Sequence, residues 1–259
     1  MIFYPVEPRS EEWKKLRLGI PCSSEFHRII TAKKLELSKQ APALMYRLLG
    51  EWVTGEPDEN DYQSMWMERG IEWEDACVSA YECLNDVETS LGGFFTTDDG
   101  MLGCSPDRLV GTVGDMEAKA PKLSTQISYA LGDTVDDEYR IQLQGRLMIH
   151  EREWIDIFSY HPRLPLPAVR VRRDEEMIAK MRPALSSFVD VMLAKREELE
   201  RRFGPFTRLS PEPEVVADKD AITDEDVERI LAAQREGRVD DQRSEEATRF
   251  LKEMESNGL

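Results

Sequence analysis

Three residues near the middle of the chain have types and spacing suited to joint chemistry: Asp107, Glu117 and Lys119. Glu117 and Lys119 stand two apart in a predicted strand, so their side chains leave on the same face. A tight turn at Gly114-Asp115 leads into Met116–Ala120, which pairs with the strand starting at Arg108 and brings Asp107 near residues 119–121. Two carboxylates with the Ala118 carbonyl form a set of hard oxygen donors suited to Mg2+. A neighbouring lysine orients or helps deprotonate a water, and it offsets charge on a phosphoryl oxygen. Such parts perform metal-assisted phosphodiester hydrolysis. A plain hairpin salt bridge uses the same residue types, and Glu-x-Lys alone is common. The Pro106-Asp107 pair upstream favours the metal.

Two further polar residues sit where apolar ones belong. Glu74 falls inside the stripe Met67, Ile71, Val78 and Tyr81 of a predicted helix over 62–83. An inward carboxylate is costly unless paired or metal-bound. It points either at the metal or its water, or at a helix–helix salt bridge with Arg69 or Arg108. Gln144 lies one turn from Ile141 and from Met148 on a predicted helix over 137–151. A buried amide needs partners; a water near the metal, a DNA phosphate or a satisfied core position would each supply them.

The elements that must hold these residues follow from periodicity and punctuation. Short helices are predicted over 9–19, ended by Gly19-Ile20-Pro21, and from Ser23 or Ser24 through Phe26, Ile29 and Ile30. Another covers 41–53. Strands are expected at Val87–Phe95, Met101–Cys104, Arg108–Val113, 153–161 and 168–173. "KLSTQ" at 122–126 reads as a loop. The longest helix runs Asp174–Phe203. After Gly204-Pro205 the composition turns Pro- and Glu-rich. That divides the chain into a body over 1–203, a linker over 204–222 and an acidic, helical or partly disordered extension over 223–259.

The 259 residues carry a formal net charge of −17, unevenly distributed. Residues 51–116 hold sixteen acidic and two basic residues, whereas residues 1–50 hold five acidic and nine basic. Bulk repulsion opposes non-specific binding to DNA or anionic membranes, but bound cations reverse the sign of an acidic pocket. No stretch is apolar enough to span a membrane, and the N-terminus lacks the pattern of a secretory signal. Four cysteines without a CxxC pair read as free thiols of a reducing, cytoplasmic compartment rather than a zinc or iron–sulfur site. His27, His150 and His161 form no grouping, and the glycines form no phosphate-cradling fingerprint.

The sequence resembles the lambda exonuclease/YqaJ-type viral recombinase family of the PD-(D/E)xK nuclease superfamily. The similarity spans Trp13 to Arg173 and rests on "W…RLGIPCSSEF" (13–26), "ERGIEWEDA" (68–76), "GCSPDRLV" (103–110), "MEAKAP" (116–121) and "YRIQLQG" (139–145). The resemblance implies a mixed central β-sheet flanked by helices, of restriction-endonuclease-like, lambda-exonuclease type. It implies a Mg2+-dependent enzyme, with Mn2+ as a substitute, that degrades linear duplex DNA from 5′ ends to mononucleotides and leaves a 3′ single strand. Carried over, Asp107, Glu117 and the Ala118 carbonyl are metal ligands and Lys119 orients the water. Glu74 is the helix-borne carboxylate, and Gln144, preferred over Gln142, is the active-centre glutamine. Arg17, with Ser24 beside it, binds the 5′-phosphate; an exposed helix-end charge is the plainer role for Arg17. A homotrimeric ring around DNA and a single-strand annealing partner are also implied, with the extension or the acidic 51–66 segment as its dock. Arg108 departs from the family's Ser-Pro-Asp-Gly. The competing readings are a structure- or site-specific endonuclease and a non-catalytic DNA-end-binding or phage scaffold protein.

Overall fold

The computed structural model describes residues 1–58, 65–132, 137–164, 166–206 and 216–217, with backbone alone at 65–72, 138 and 216–217. In chain order these form β1 (Ile2–Tyr4), α1 (Glu11–Arg17), a 3-10 turn (Ser23–Glu25), α2 (Phe26–Ile29), α3 (Ala41–Thr54) and α4 (Met65–Asn85). Then come β2 (Thr89–Leu91), β3 (Phe94–Thr96), β4 (Gly103–Cys104), β5 (Arg108–Val110), β6 (Gly114–Lys119), α5 (Leu123–Ala130) and α6 (Asp137–His150). The described elements end with β7 (Trp154–Ser159), β8 (Ala168–Arg172), α7 (Glu175–Phe203) and β9 (Val216–Ala217).

A five-stranded sheet of order β2-β5-β6-β7-β8 carries the site. Its β6–β7 pair is parallel and its other pairs are antiparallel. A parallel pair requires a crossover, and here α5 and α6 supply it. The side-chain alternation of β6 and β7 sorts the two faces. Met116 and Phe158 pack with Cys77, Val78 and Tyr81 of α4. Ile155 and Ile157 pack with Leu143 and Leu147 of α6. A second sheet, β4-β3-β1-β9, abuts a core built from Phe26, Leu44, Leu48, Phe95, Ile141 and Phe188. Among the described residues, no helix is long and apolar enough to cross a membrane.

The mixed sheet with flanking helices is the expected architecture, with four local corrections. Val87–Phe95 is not one strand: it splits at Gly92-Gly93 into β2 and β3, which join different sheets. A Cβ at Gly92 would lie 1.8 Å from the Pro106 carbonyl oxygen, so the glycine lets the segment before Asp107 press against it. The hairpin turn spans residues 111–113, because Val110 already pairs with Gly114. Gly114 is a close-approach residue rather than a turn residue, since a Cβ there would meet the Trp154 ring at 2.2 Å. Residues 123–130 are helical instead of looped. In α5 Leu123 and Ile127 are exposed while Gln126 is buried and donates to the Ser159 carbonyl (3.1 Å), the reverse of an ordinary amphipathic pattern. The fourth is β1, which the sequence reading lacked.

Of the linker and extension, Phe206 packs edge-on against Trp52 at 5.5 Å and Val216–Ala217 pair with β1. Residues 207–215 and 218–222, the whole of 223–259 and the expected helix start at 62 lie outside the described residues.

Candidate active site

The β5–β6 register sets the first contact. Arg108 pairs with Met116, so one step further places Asp107 opposite Glu117, not opposite 119–121. Opposed residues in an antiparallel pair project to the same side. Asp107 Oδ2 accepts the Ala118 backbone N–H at 2.9 Å. An extended residue turns its N–H and C=O to the same edge, so the Ala118 carbonyl also opens toward Asp107.

Along β6, Asp115, Glu117 and Lys119 share one face, and α6 answers them with Tyr139, Arg146 and His150. Those three lie seven and four residues apart, on one side of the helix. Glu117 is buried; it takes hydrogen bonds from Lys119 Nζ and Tyr139 Oη (3.2 Å) on Oε1 and from Arg146 Nη2 on Oε2. Arg146 also reaches Asp115 at 3.6 Å. Asp115 accepts in turn from His150 Nε2 at 2.6 Å, and His150 Nδ1 accepts the Arg152 N–H. The ring proton therefore sits on Nε2. Burial pushes the His150 pKa down, outweighing its bond to Asp115 and keeping the ring neutral near neutral pH.

The electrostatics separate the two opposed carboxylates. Burial, followed by the Glu117 charge, lifts the Asp107 carboxyl to about 7. Burial also opposes ionisation of Glu117, but Arg146 and Lys119 outweigh it and hold that group down to about 2. Burial would lower Lys119, yet Glu117 and Asp107 raise it, so the ammonium stays protonated at neutral pH.

These groups border a cavity of about 240 Å3. Of the sequence-predicted residues, Asp107, Glu117, Glu74, Arg17 and Ser24 line it, and so does Gln142. Lys119 joins through its bond to Glu117 and lies 5.2 Å from the Tyr139 ring centroid. Among the described side chains the Glu74 partner is Arg9, not Arg108; the Arg69 side chain lies outside the described residues. Arg108 is buried and donates to Thr89 Oγ1 and the Thr89 carbonyl, both at 2.9 Å. The Arg17 guanidinium stacks 4.1 Å from the Trp13 ring centroid. Trp13 Nε1 donates to Ser105 Oγ at 2.8 Å, tying α1 to the segment that carries Asp107.

The preference for Gln144 is corrected. Gln144 donates to the Arg172 carbonyl (2.8 Å) and accepts from the Asp174 N–H (2.9 Å), which fastens α6 to the start of α7. Both ends of its amide are used there. The cavity-lining glutamine is Gln142, one helical turn before Arg146.

Sequence reasoning missed Arg9, Tyr139 and Arg146. Arg146 carried no local signal: on the face opposite Ile141 and Met148 it has the pattern of a surface charge.

A divalent cation fits the donor chemistry. Asp107 is a half-buried oxygen donor on the cavity wall, and desolvation and the neighbouring Glu117 carboxylate raise its carboxyl to about 7, a crowding that a divalent cation would relieve. Among the described residues, no group of three or more His, Cys, Asp or Glu side chains is gathered as a ready-made metal cluster. Glu74 leans on Arg9 and Glu117 on Arg146 and Lys119 instead.

Fold and site together define a nuclease architecture of the lambda exonuclease type. The chain belongs to the YqaJ-like viral recombinase domain family, whose model matches residues 12–153. Its structure is similar to two crystal structures of the alkaline exonuclease LHK-Exo from Laribacter hongkongensis, one of them in complex with dAMP. Identity is 28%, the TM-score is 0.66, and the match covers 74% of this chain and 97% of that one. A phage-related exonuclease from Haemophilus somnus 129PT shares the fold at 14% identity and a TM-score of 0.51, over 68% of this chain and 96% of that one. No curated protein sequence matches the chain.

Proposed function

We propose that the protein is a metal-dependent exonuclease that degrades one strand of linear duplex DNA from its 5′ end, releasing mononucleotides and leaving a 3′ single strand for recombination by annealing. The observation that carries this is the gathering of Asp107, Glu117 and Lys119 beside a cavity whose wall also presents Arg17 and Ser24. Similarity to an exonuclease solved with dAMP supports a mononucleotide-sized pocket.

Asp107, Glu117 and the Ala118 carbonyl would hold Mg2+, or Mn2+ in its place. The bound ion supplies Lewis-acid polarisation of the phosphoryl oxygen and lowers the pKa of a water. Lys119, protonated and fixed by Glu117, orients the attacking water and offsets phosphoryl charge rather than acting as a base. The water oxygen bonds to phosphorus, the P–O3′ bond breaks, and a 5′-mononucleotide leaves. The new strand end again bears a 5′-phosphate for Arg17, whose planar fork suits that group. Gln142 lines the same cavity and would contact the nucleotide. Arg9, Arg17 and Arg146 in the cavity wall balance Glu74, Asp107 and Glu117, so the cavity does not carry the excess negative charge of the chain as a whole. A homotrimeric ring, an annealing partner and a cytoplasmic site of action complete the proposal and rest on the family resemblance.

Linear duplex with 5′-phosphate or 5′-hydroxyl ends, and closed circular duplex, each with Mg2+ or EDTA, test it. Mononucleotides should appear from the linear phosphorylated substrate with Mg2+ alone. Nicking of closed circles would show an endonuclease. Metal-independent end binding without cleavage would show a non-catalytic protein.

A further inference from the structure

Arg146 is buried to 2% exposure, lines the cavity, and belongs to no motif carried over from the sequence. Its guanidinium stands between two carboxylates of one strand. It donates to Glu117 Oε2 on the cavity side and faces Asp115 Oδ1 at 3.6 Å on the core side. Asp115 is fully buried and fixed from behind by His150 at 2.6 Å. The line from core to cavity is thus neutral imidazole, carboxylate, guanidinium, carboxylate.

A charge count shows what this line does. Asp107, Asp115 and Glu117 against Arg146 and Lys119 leave the cluster with one excess negative charge when all are ionised. Removing Arg146 would double that excess beside Glu117. Arg146 holds Glu117 Oε2 while Lys119 and Tyr139 share Oε1, so a cation takes a Glu117 oxygen only by displacing a donor, and Arg146 is the donor braced from the core by Asp115.

We infer that Arg146 is a built-in counterion and positioning residue: backed by Asp115, it fixes which Glu117 oxygen meets a divalent cation and limits how strongly the site binds that cation. The inference deepens the exonuclease proposal and rests on it. It predicts that metal affinity and cleavage move in opposite directions when Arg146 is lost. A packing role alone would lower both.

The test is calorimetric titration of the DNA-free full-length protein with Mn2+, alongside Mg2+-dependent cleavage at saturating metal. Arg146→Met should bind Mn2+ about tenfold tighter or more, because a neighbouring buried cation is gone. It should cleave at least about tenfold slower, because Glu117 is no longer held. Arg146→Lys, which keeps the charge, should return Mn2+ affinity to near the wild-type value with partial cleavage. Asp115→Asn should weaken Mn2+ binding severalfold, since Arg146 then serves Glu117 alone. Unchanged or weaker Mn2+ binding by folded Arg146→Met overturns the inference. If circular dichroism shows Arg146→Met unfolded, Asp115→Asn decides, and unchanged affinity there overturns it. Wild-type protein without Mg2+-dependent cleavage would instead sink the exonuclease proposal itself.

Discussion

Two ionic clusters sit on opposite faces of the β6–β7 ladder, and they differ in how their charges match. On the α4 side, Asp156 receives Arg170 Nε and Nη2 at 2.7 Å each and Tyr81 Oη at 2.7 Å. Arg170 in turn stacks on Trp154 at 3.7 Å. One carboxylate meets one bidentate arginine, with every oxygen used. On the α6 side, Asp107 and Glu117 crowd each other and share Arg146 and Lys119, and Asp107 is left short of a cation. The first cluster is complete without a ligand and is structural. The second is electrostatically unfinished, which is the condition expected where a metal and a phosphate must enter.

The largest contrast should come from single changes in each cluster. Lys119→Ala should lose at least about a thousandfold in cleavage rate while still binding duplex ends, since it removes a charge aimed at the reacting phosphate. Cleavage time courses and end-binding isotherms on one preparation check this. Arg17→Ala comes next. It should cut the preference for 5′-phosphate over 5′-hydroxyl ends by roughly tenfold or more, because a phosphate fork is lost. Competition between the two ends reads that preference directly.

On the structural side, Asp156→Asn should cost about 1–3 kcal/mol in unfolding free energy by weakening a charge-assisted network, with cleavage changed by less than about twofold. Gln144→Ala belongs with it, whereas Gln142→Ala should slow cleavage with little change in stability. Denaturant melts beside rate measurements separate the two glutamines.

The smallest effect is in pH. The folded Asp107 carboxyl is raised to about 7 from 3.8, first by burial and then by Glu117. Without metal, the folded state binds more protons than the unfolded one in that window, so the contribution of Asp107 to stability falls as pH rises through it. A cation displaces the proton, so thermal stabilisation by Mg2+ should grow from about pH 5.5 to about pH 7.5 and then level off. Asp107→Asn should flatten that dependence, as thermal shift at fixed Mg2+ would show.

Much of the site was legible in the sequence because chemistry-bearing residues stood against the local pattern. Glu117 and Lys119 alternate on a strand, and Glu74 interrupts an apolar stripe. What was not legible depended on partners distant in sequence. Gly114-Asp115 has the composition of a turn, but Trp154 packs over the glycine and His150 caps the aspartate, so both belong to β6. Gln142 and Gln144 are equivalent in composition, and only the packing of α6 against the start of α7 assigns the second to structure. Arg146 reads as a surface charge on a helix until β6 is placed opposite it. The α5 helix stayed hidden because its apolar residues face outward and its glutamine inward.

The account stands on Asp107 and Glu117 sharing a divalent ion. Anomalous diffraction from crystals of the wild-type protein soaked in Mn2+ tests this most directly. The expected result is a manganese peak about 2.2 Å from an oxygen of each carboxylate, with Lys119 beside it. A peak bound elsewhere, or Glu117 still closed between Arg146 and Lys119 at saturating Mn2+, would contradict it.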